Sequence, residues 1–318
     1  MRSDTRPALR PRAEHWVAPL EETPLREVDA ADSSTTPRSL WAEAWHNLRR
    51  NPVFLISAVL ILFVLFVAAF PQLFTDQDPR YGNLAQARQD PSAEHPFGTT
   101  VQGYDILSRT VWGARTSVTI GFLAMIGTTL IGMVMGSLAG YLGGWVDEVI
   151  SRITDIFFAL PLVLGAIVIA TRLGSMTMPI VVLVICLFGW TNIARIMRGA
   201  VLSTKTQDYV MASTALGASS TTNLLRHVIP NAIAPVIVTA TVNLGVFIVA
   251  EATLSFLGVG LPSTSVSWGG DISAARSALR TQPMMLFYPS MALAITVLSF
   301  IMLGDAVRDA LDPKARKR

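Results

Sequence analysis

The sequence predicts an all-α membrane protein with six transmembrane helices and a polar helix-turn-helix between the fourth and the fifth. Three observations predict it. Hydrophobic residues make up 51% of the chain and charged residues 15%, a balance unlike that of soluble domains. Six apolar runs, roughly 52–72, 118–141, 150–171, 175–196, 231–257 and 284–305, each supply the roughly 20 residues that a helix needs to cross a hydrocarbon core about 30 Å thick. Residues 208–230, DYVMASTALGASSTTNLLRHVIP, are too polar to be a seventh span.

The elements follow in chain order. Residues 1–38 carry thirteen charges and five prolines with little apolar periodicity, the composition of a disordered tail. The first long apolar run starts beyond residue 50, too late for a cleaved signal peptide. Residues 40–50, LWAEAWHNLRR, place Trp41, Trp45 and Leu48 on one helical face. That pattern suits a helix lying in the membrane interface or a plain extension of the first span, so residues 39–72 form one unit. Residues 73–117 form the largest segment outside the spans, and 118–305 a core of packed helices. Within it, Gly132, Gly136 and Gly140 recur every four residues, which permits close approach by another helix. Pro161 should kink the third span, because proline removes a helix hydrogen bond. Runs three and four are separated only by residues 172–177, the mark of a tight hairpin. The basic tail 306–318 closes the chain.

In the polar stretch, Asp208 is placed to cap a first short helix bearing Tyr209, Met211, Ala212, Ala215 and Leu216 at roughly helical spacing, and Gly217 supplies its stop. A second helix carries Leu224, Leu225 and Val228 on one side, and Pro230 opens the next span. Orientation follows the cations. With the N-terminus inside, eighteen of the 25 Lys and Arg residues fall in cytoplasmic segments, so the positive-inside rule places both termini and the 208–230 loop in the cytoplasm.

Two groups inside the spans are candidates for a transport pathway. Glu251 is ionisable, and a charge at the bilayer centre costs roughly 2.5–3.5 kcal/mol on insertion scales; a paired structural role competes with contact to substrate. Asn243 lies two turns earlier on a nearby face. Catalytic and cofactor patterns are missing. None of the three lysines, Lys205, Lys314 and Lys317, ends a phosphate-binding glycine loop. The histidines His15, His46, His95 and His227 form no zinc motif, and Cys186 is alone in an apolar run. No cofactor and no nucleic-acid partner is expected; the terminal cations read as a topology anchor at membrane lipid.

The polar loop resembles the cytoplasmic coupling loop of ABC importer permeases. That family has Glu-Ala-Ala, three residues, Gly and a later Leu-Pro; here Met211-Ala212-Ser213, Gly217 and Ile229-Pro230 keep the spacing, with Met211 in the acidic place. Further segments resemble the C-type subunit of the dipeptide/oligopeptide/nickel branch: HPFGTTVQGYDILSRTVWGARTSV at 95–118, GYLGGWVDEVISRITDIFFALP at 140–161, WTNIARIMRGAVLS at 190–203, EATLSFLGVG at 251–260, SWGGDI at 267–272 and LSFIMLGDAVRDALDP at 298–313. Thr100 and Tyr104 depart from that subunit's usual Asp and Arg, and Ile301 from a common Asn.

The resemblance implies a type I ABC importer permease fold in the bacterial cytoplasmic membrane. It implies a non-enzymatic subunit that imports short peptides by alternating access with a homologous second permease, two ATPase subunits or domains that bind the ATP, and an extracytoplasmic substrate-binding protein. Nickel, glutathione or another small solute is the alternative cargo, and a secondary transporter the rival class. Asp208, Tyr209, Met211, Ala212, Leu216 and Gly217 are the residues it places against the ATPase.

Overall fold

The computed structural model describes residues 40–311, apart from the side chains of Leu40, Trp41 and Glu43. The expected tail at 1–38 and the end of the basic tail lie outside these residues, as does the side chain of Trp41. Helix α1 (Leu40–Leu48) buries Ala44 and leaves Trp45 exposed against Phe54, edge to face. Asn51 then caps α2 (Pro52–Ala69) by accepting from the amides of Val53 and Phe54, with proline in the first turn where no donor is needed.

Helix α3 (Ile106–Leu142) is the spine of the molecule. At 37 residues it is about 55 Å long, much more than a bilayer core, and it starts well before the apolar run at 118. Its first three turns are amphipathic rather than apolar, so hydropathy alone misses them. The start is fixed by Asp105, whose carboxylate accepts from the Ser108 amide. The expected 73–117 segment is therefore partly span-continuing helix.

Helix α4 (Gly144–Ala159) and α5 (Leu162–Leu173) are together long and apolar enough for a span but are bent by 82° where Leu160 and Pro161 interrupt the backbone bonds, the geometry of a broken span or a re-entrant loop. This is the break that Pro161 leads one to expect. Gly174, at φ +71°, turns the chain into α6 (Met178–Thr204). After the polar loop come α10 (Ala234–Phe256), the short α11 (Trp268–Ala275) and α12 (Pro283–Leu311), which runs past the expected boundary at 305. The loop itself supplies α7 (Asp208–Ala215), α8 (Ser220–Asn223) and α9 (Ile229–Ala232). Among the described residues five helices are long and apolar enough to cross a membrane, or six if the bent pair is one span.

Packing is closest between α3 and α6. A Cβ added to Gly132 would lie 2.6 Å from the Cβ of Ile193, and one added to Gly140 would lie 2.8 Å from the carbonyl of Arg198. Gly136 similarly abuts Ala194 and Met197. Lipid tails are as apolar as leucine, so helices in a bilayer gain by backbone approach rather than by escaping water. Among the described residues four apolar clusters fill the bundle: Ile61, Val118, Ile248 and Phe300 join α2, α3, α10 and α12; Ile120, Val184, Ile185 and Phe247 join α3, α6 and α10; Ile193, Met197, Val210, Val228 and Val236 fasten the polar loop to α6 and α10; Ile106, Ala275 and Met285 join the start of α3 to α11 and α12.

Candidate functional site

Residues 208–230 fold as a helix, a tight turn and a second, irregular helix. Gln207, not Asp208, is the N-cap; Asp208 is the first helical residue, where its charge favours the positive end of the helix. The stop at Gly217 has φ +89°. The amide of Gly217 donates to the Thr214 carbonyl at 3.0 Å and that of Ala218 to the Ser213 carbonyl at 3.1 Å, the paired bonds of a Schellman turn, which a residue with a Cβ enters at a cost.

Ser219 caps α8 by accepting from the Thr222 amide. The chain then widens into a π-helical turn over Leu224–Val228 before α9. Pro230 has no amide to give to the carbonyl four residues earlier, and the Ile229 amide reaches the Leu224 carbonyl five residues back. The wide turn corrects one expectation: Val228 is buried and Leu224 half-buried, but Leu225 is turned outward.

The side chains of α7 divide sharply. Val210 is buried against α6 and the π turn. Tyr209 is 46% exposed, Met211 53% and Leu216 90%, and Asp208 and Ala212 are exposed too. The six residues expected to couple thus form one outward crest, apolar except for Asp208, held from below by a residue the sequence pattern did not single out. Four further ties were missed as well. Asn223, buried between the two short helices, accepts from the Ser213 hydroxyl at 2.7 Å and donates to Thr214 Oγ1 at 2.9 Å. Lys205 Nζ donates to the Gly140 carbonyl at 2.7 Å and so caps the end of α3. Arg198 grips both carboxylate oxygens of Asp147, and Arg195 reaches Asp155 at 2.8 Å; these pairs pin α4 to α6 around a cavity of about 340 Å³. No local motif reveals such contacts, which join residues distant in the chain.

The two intramembrane candidates are not brought together. Asn243, 8% exposed, borders a cavity of about 530 Å³ between α6, α10 and α12 that opens toward the loop end of the bundle. Glu251 borders none of the described cavities. It is fully enclosed, accepting from Ser117 Oγ at 3.0 Å and Ser255 Oγ at 2.9 Å, and Ser117 in turn accepts from the Trp268 amide. Among these residues it is a buried tie between α3 and α10. A buried carboxyl with two hydroxyl donors is satisfied without a ligand.

At the opposite end, Arg109 donates to Asp271 and to the Pro79 carbonyl and lies 4.8 Å from the Tyr104 ring. Burial pushes the Asp271 carboxyl up to about 6, against the pull of Arg109. Beside this pair an open cavity of about 1040 Å³ is edged by Asp76, Asp78, Arg80 and Arg115. Among the described residues no three His, Cys, Asp or Glu side chains are grouped to hold a metal ion.

Comparison with known proteins adds the following. The family model described as binding-protein-dependent transport system inner membrane component matches residues 129–317, and that of the N-terminal TM domain of oligopeptide transport permease C matches residues 39–91. The oligopeptide transport system permease protein OppC of Bacillus subtilis is 40% identical over 289 residues, 91% of this chain and 94% of its own. The dipeptide transport system permease protein DppC of Alkalihalophilus pseudofirmus is 36% identical, over 92% and 96%. The glutathione transport system permease protein GsiD of Pectobacterium atrosepticum is 35% identical, over 88% and 93%. Among solved structures, an inward-facing MetNI methionine ABC transporter chain superposes with a TM-score of 0.54 at 20% identity, over 64% of this chain and 96% of that one; at that identity the likeness concerns the fold.

Proposed function

This chain belongs to the family of binding-protein-dependent transport system inner membrane components, in its oligopeptide permease C branch, and from that premise we propose that it forms half of a pathway importing short peptides. It is a multi-pass permease subunit of an ABC importer, and its energy comes from ATPase subunits. Their number is taken as two, with a homologous second permease completing the pathway and an extracytoplasmic binding protein delivering cargo. ATP is bound by those partners and no cofactor by this chain. The membrane is the bacterial cytoplasmic one, with both termini inside, a reading supported by the cation distribution.

The observation that carries the mechanism is the outward crest of α7 on its buried Val210. Closure of the ATPases around ATP pushes on Asp208, Tyr209, Met211, Ala212, Leu216 and Gly217. Val210, Lys205 and Asn223 pass that displacement to α6, α10 and α3, and the spans exchange inward-open and outward-open arrangements. Asn243 lies on the pathway side; Glu251 was the other candidate, and its enclosure supports a structural role. Glutathione, itself a short peptide-like solute, is the second reading of the cargo, favoured by the 35% identity to a glutathione permease.

The test is reconstitution. The assembly of all subunits hydrolyses ATP and accumulates labelled trialanine in proteoliposomes, while this chain alone neither binds nor hydrolyses ATP. Saturable hydrolysis by the isolated chain, or an assembly that takes up no peptide, overturns the reading.

A further inference from the structure

The cavity between α6, α10 and α12 supports an inference that rests on the peptide-import reading and names what this part of the pathway recognises. Its polar groups are few: Asn192 on α6, Thr239 and Asn243 on α10, and Asp305 with Arg308 at its mouth on α12. The Thr239 hydroxyl is taken up by the Pro235 carbonyl at 2.9 Å, and that of Thr241 by the Ile237 carbonyl. The carboxamides of Asn192 and Asn243 are different: neither has a hydrogen-bond partner among the described residues, Asn192 being exposed on the cavity wall and Asn243 8% exposed.

Both amides are open to the cavity and free to meet a solute there, and polar side chains inside spans are retained where they meet another polar group. A carboxamide offers one carbonyl acceptor and two N–H donors. A peptide group offers the matching carbonyl and N–H, whatever its side chains. The rest of the cavity wall is largely apolar; at its inner part there is no charge to select a charged residue and no aromatic ring to select a flat one.

We propose that Asn192 and Asn243 form a peptide-bond subsite, which holds the backbone of a passing peptide by its amides and so admits peptides independently of sequence. Asp305 and Arg308, one charge of each sign, stand where a zwitterionic peptide leaves.

The experiment uses the complete assembly in proteoliposomes with trialanine and trialanine methylated on its central amide nitrogen, which removes one donor. The binding protein is the same throughout, so any change between permease variants belongs to this chain. Wild type takes up trialanine with a lower KM than the methylated peptide. Asn243→Leu and Asn192→Leu each raise the KM for trialanine about fivefold, the scale of one hydrogen bond, and narrow the discrimination relative to wild type; Thr241→Val leaves it as it is. Unchanged discrimination in both leucine variants overturns the subsite. A wild-type assembly that imports neither peptide instead refutes the import reading.

A second measurement does not depend on active variants. In a Cys186→Ala chain, Val238→Cys is modified by a thiol reagent in the nucleotide-free assembly, and trialanine slows that modification. Protection that is complete without peptide means that the second permease covers the cavity, and the proposal fails.

Discussion

Met211 occupies the place where an acidic residue would offer an ion pair, and it is half exposed on the crest of α7. Burying a methionine side chain is worth roughly 1.5–3 kcal/mol, whereas an exposed ion pair gives about 0–1 kcal/mol, so apolar docking loses nothing in strength. Met211→Asp brings an unpaired carboxylate into an apolar contact and should uncouple hydrolysis from uptake, while Met211→Leu should change both less than twofold. The competing arrangement makes Asp208 the contact; a fully coupled Met211→Asp assembly alongside a defective Asp208→Asn one would establish it. Asp271 yields a second residue-scale expectation. Its carboxyl stands at about 6 against an ordinary 3.8 because burial outweighs Arg109. The folded chain therefore holds the proton more tightly than the unfolded one. The resulting stability is fully present below about pH 4 and is lost as pH rises through 6, by an amount on the order of 3 kcal/mol. Thermal inactivation of the purified assembly should be slower at pH 4.5 than at pH 6.5, and Asp271→Asn, which keeps an acceptor for Arg109, should flatten that slope. Parallel profiles for the two proteins would count against it.

At the scale of elements, the apolar runs, the break at Pro161 and the outward crest were legible because each depends on local chemistry: hydropathy over a window, a missing amide, short-range periodicity. What was not legible depends on partners far along the chain. Helix α3 begins at Ile106 although residues 106–117 include Arg109 and Arg115, because Asp105 caps it and Asp271 receives Arg109. Leu225 turns outward because Pro230, five residues later, widens the turn before it. Asn243 stood out in the sequence as a pathway candidate, but nothing there joined it to Asn192; α6 and α10 set the two on one cavity. Lys205 read as one more inside cation, yet it links the end of α6 to the carbonyl end of α3, three residues before α7 begins. A cation at a helix C-terminus is stabilising by about 0.3–1 kcal/mol, a small amount for the fold but a direct one for transmission. Lys205→Met keeps the aliphatic stem and removes the donor. Uptake should fall several-fold more than ATP hydrolysis, and Lys205→Arg should restore part of the ratio. Equal losses of uptake and hydrolysis would make Lys205 a structural residue only.

For the whole molecule, the proposed coupling requires the crest to face the ATPases, so it rests on topology. The cation count favours both termini inside, yet Arg109 and Arg115 oppose it near the second span. Arg109 is paired with Asp271, whereas Arg115 is exposed, 5.8 Å from the Trp112 ring at the edge of the wide cavity. Two cations weigh little against the eighteen on the inside. The loop end, by contrast, gathers Arg195, Arg198, Lys205 and Arg226 on or beside the helices that carry the crest. Ala85 and Thr214 lie at opposite ends and are both exposed. In a Cys186→Ala chain, Ala85→Cys should react with a membrane-impermeant maleimide added to intact cells, and Thr214→Cys should react only after the membrane is opened. Reaction of Thr214→Cys from outside, at the rate of Ala85→Cys, would invert the bundle and put the crest beyond the reach of any cytoplasmic ATPase.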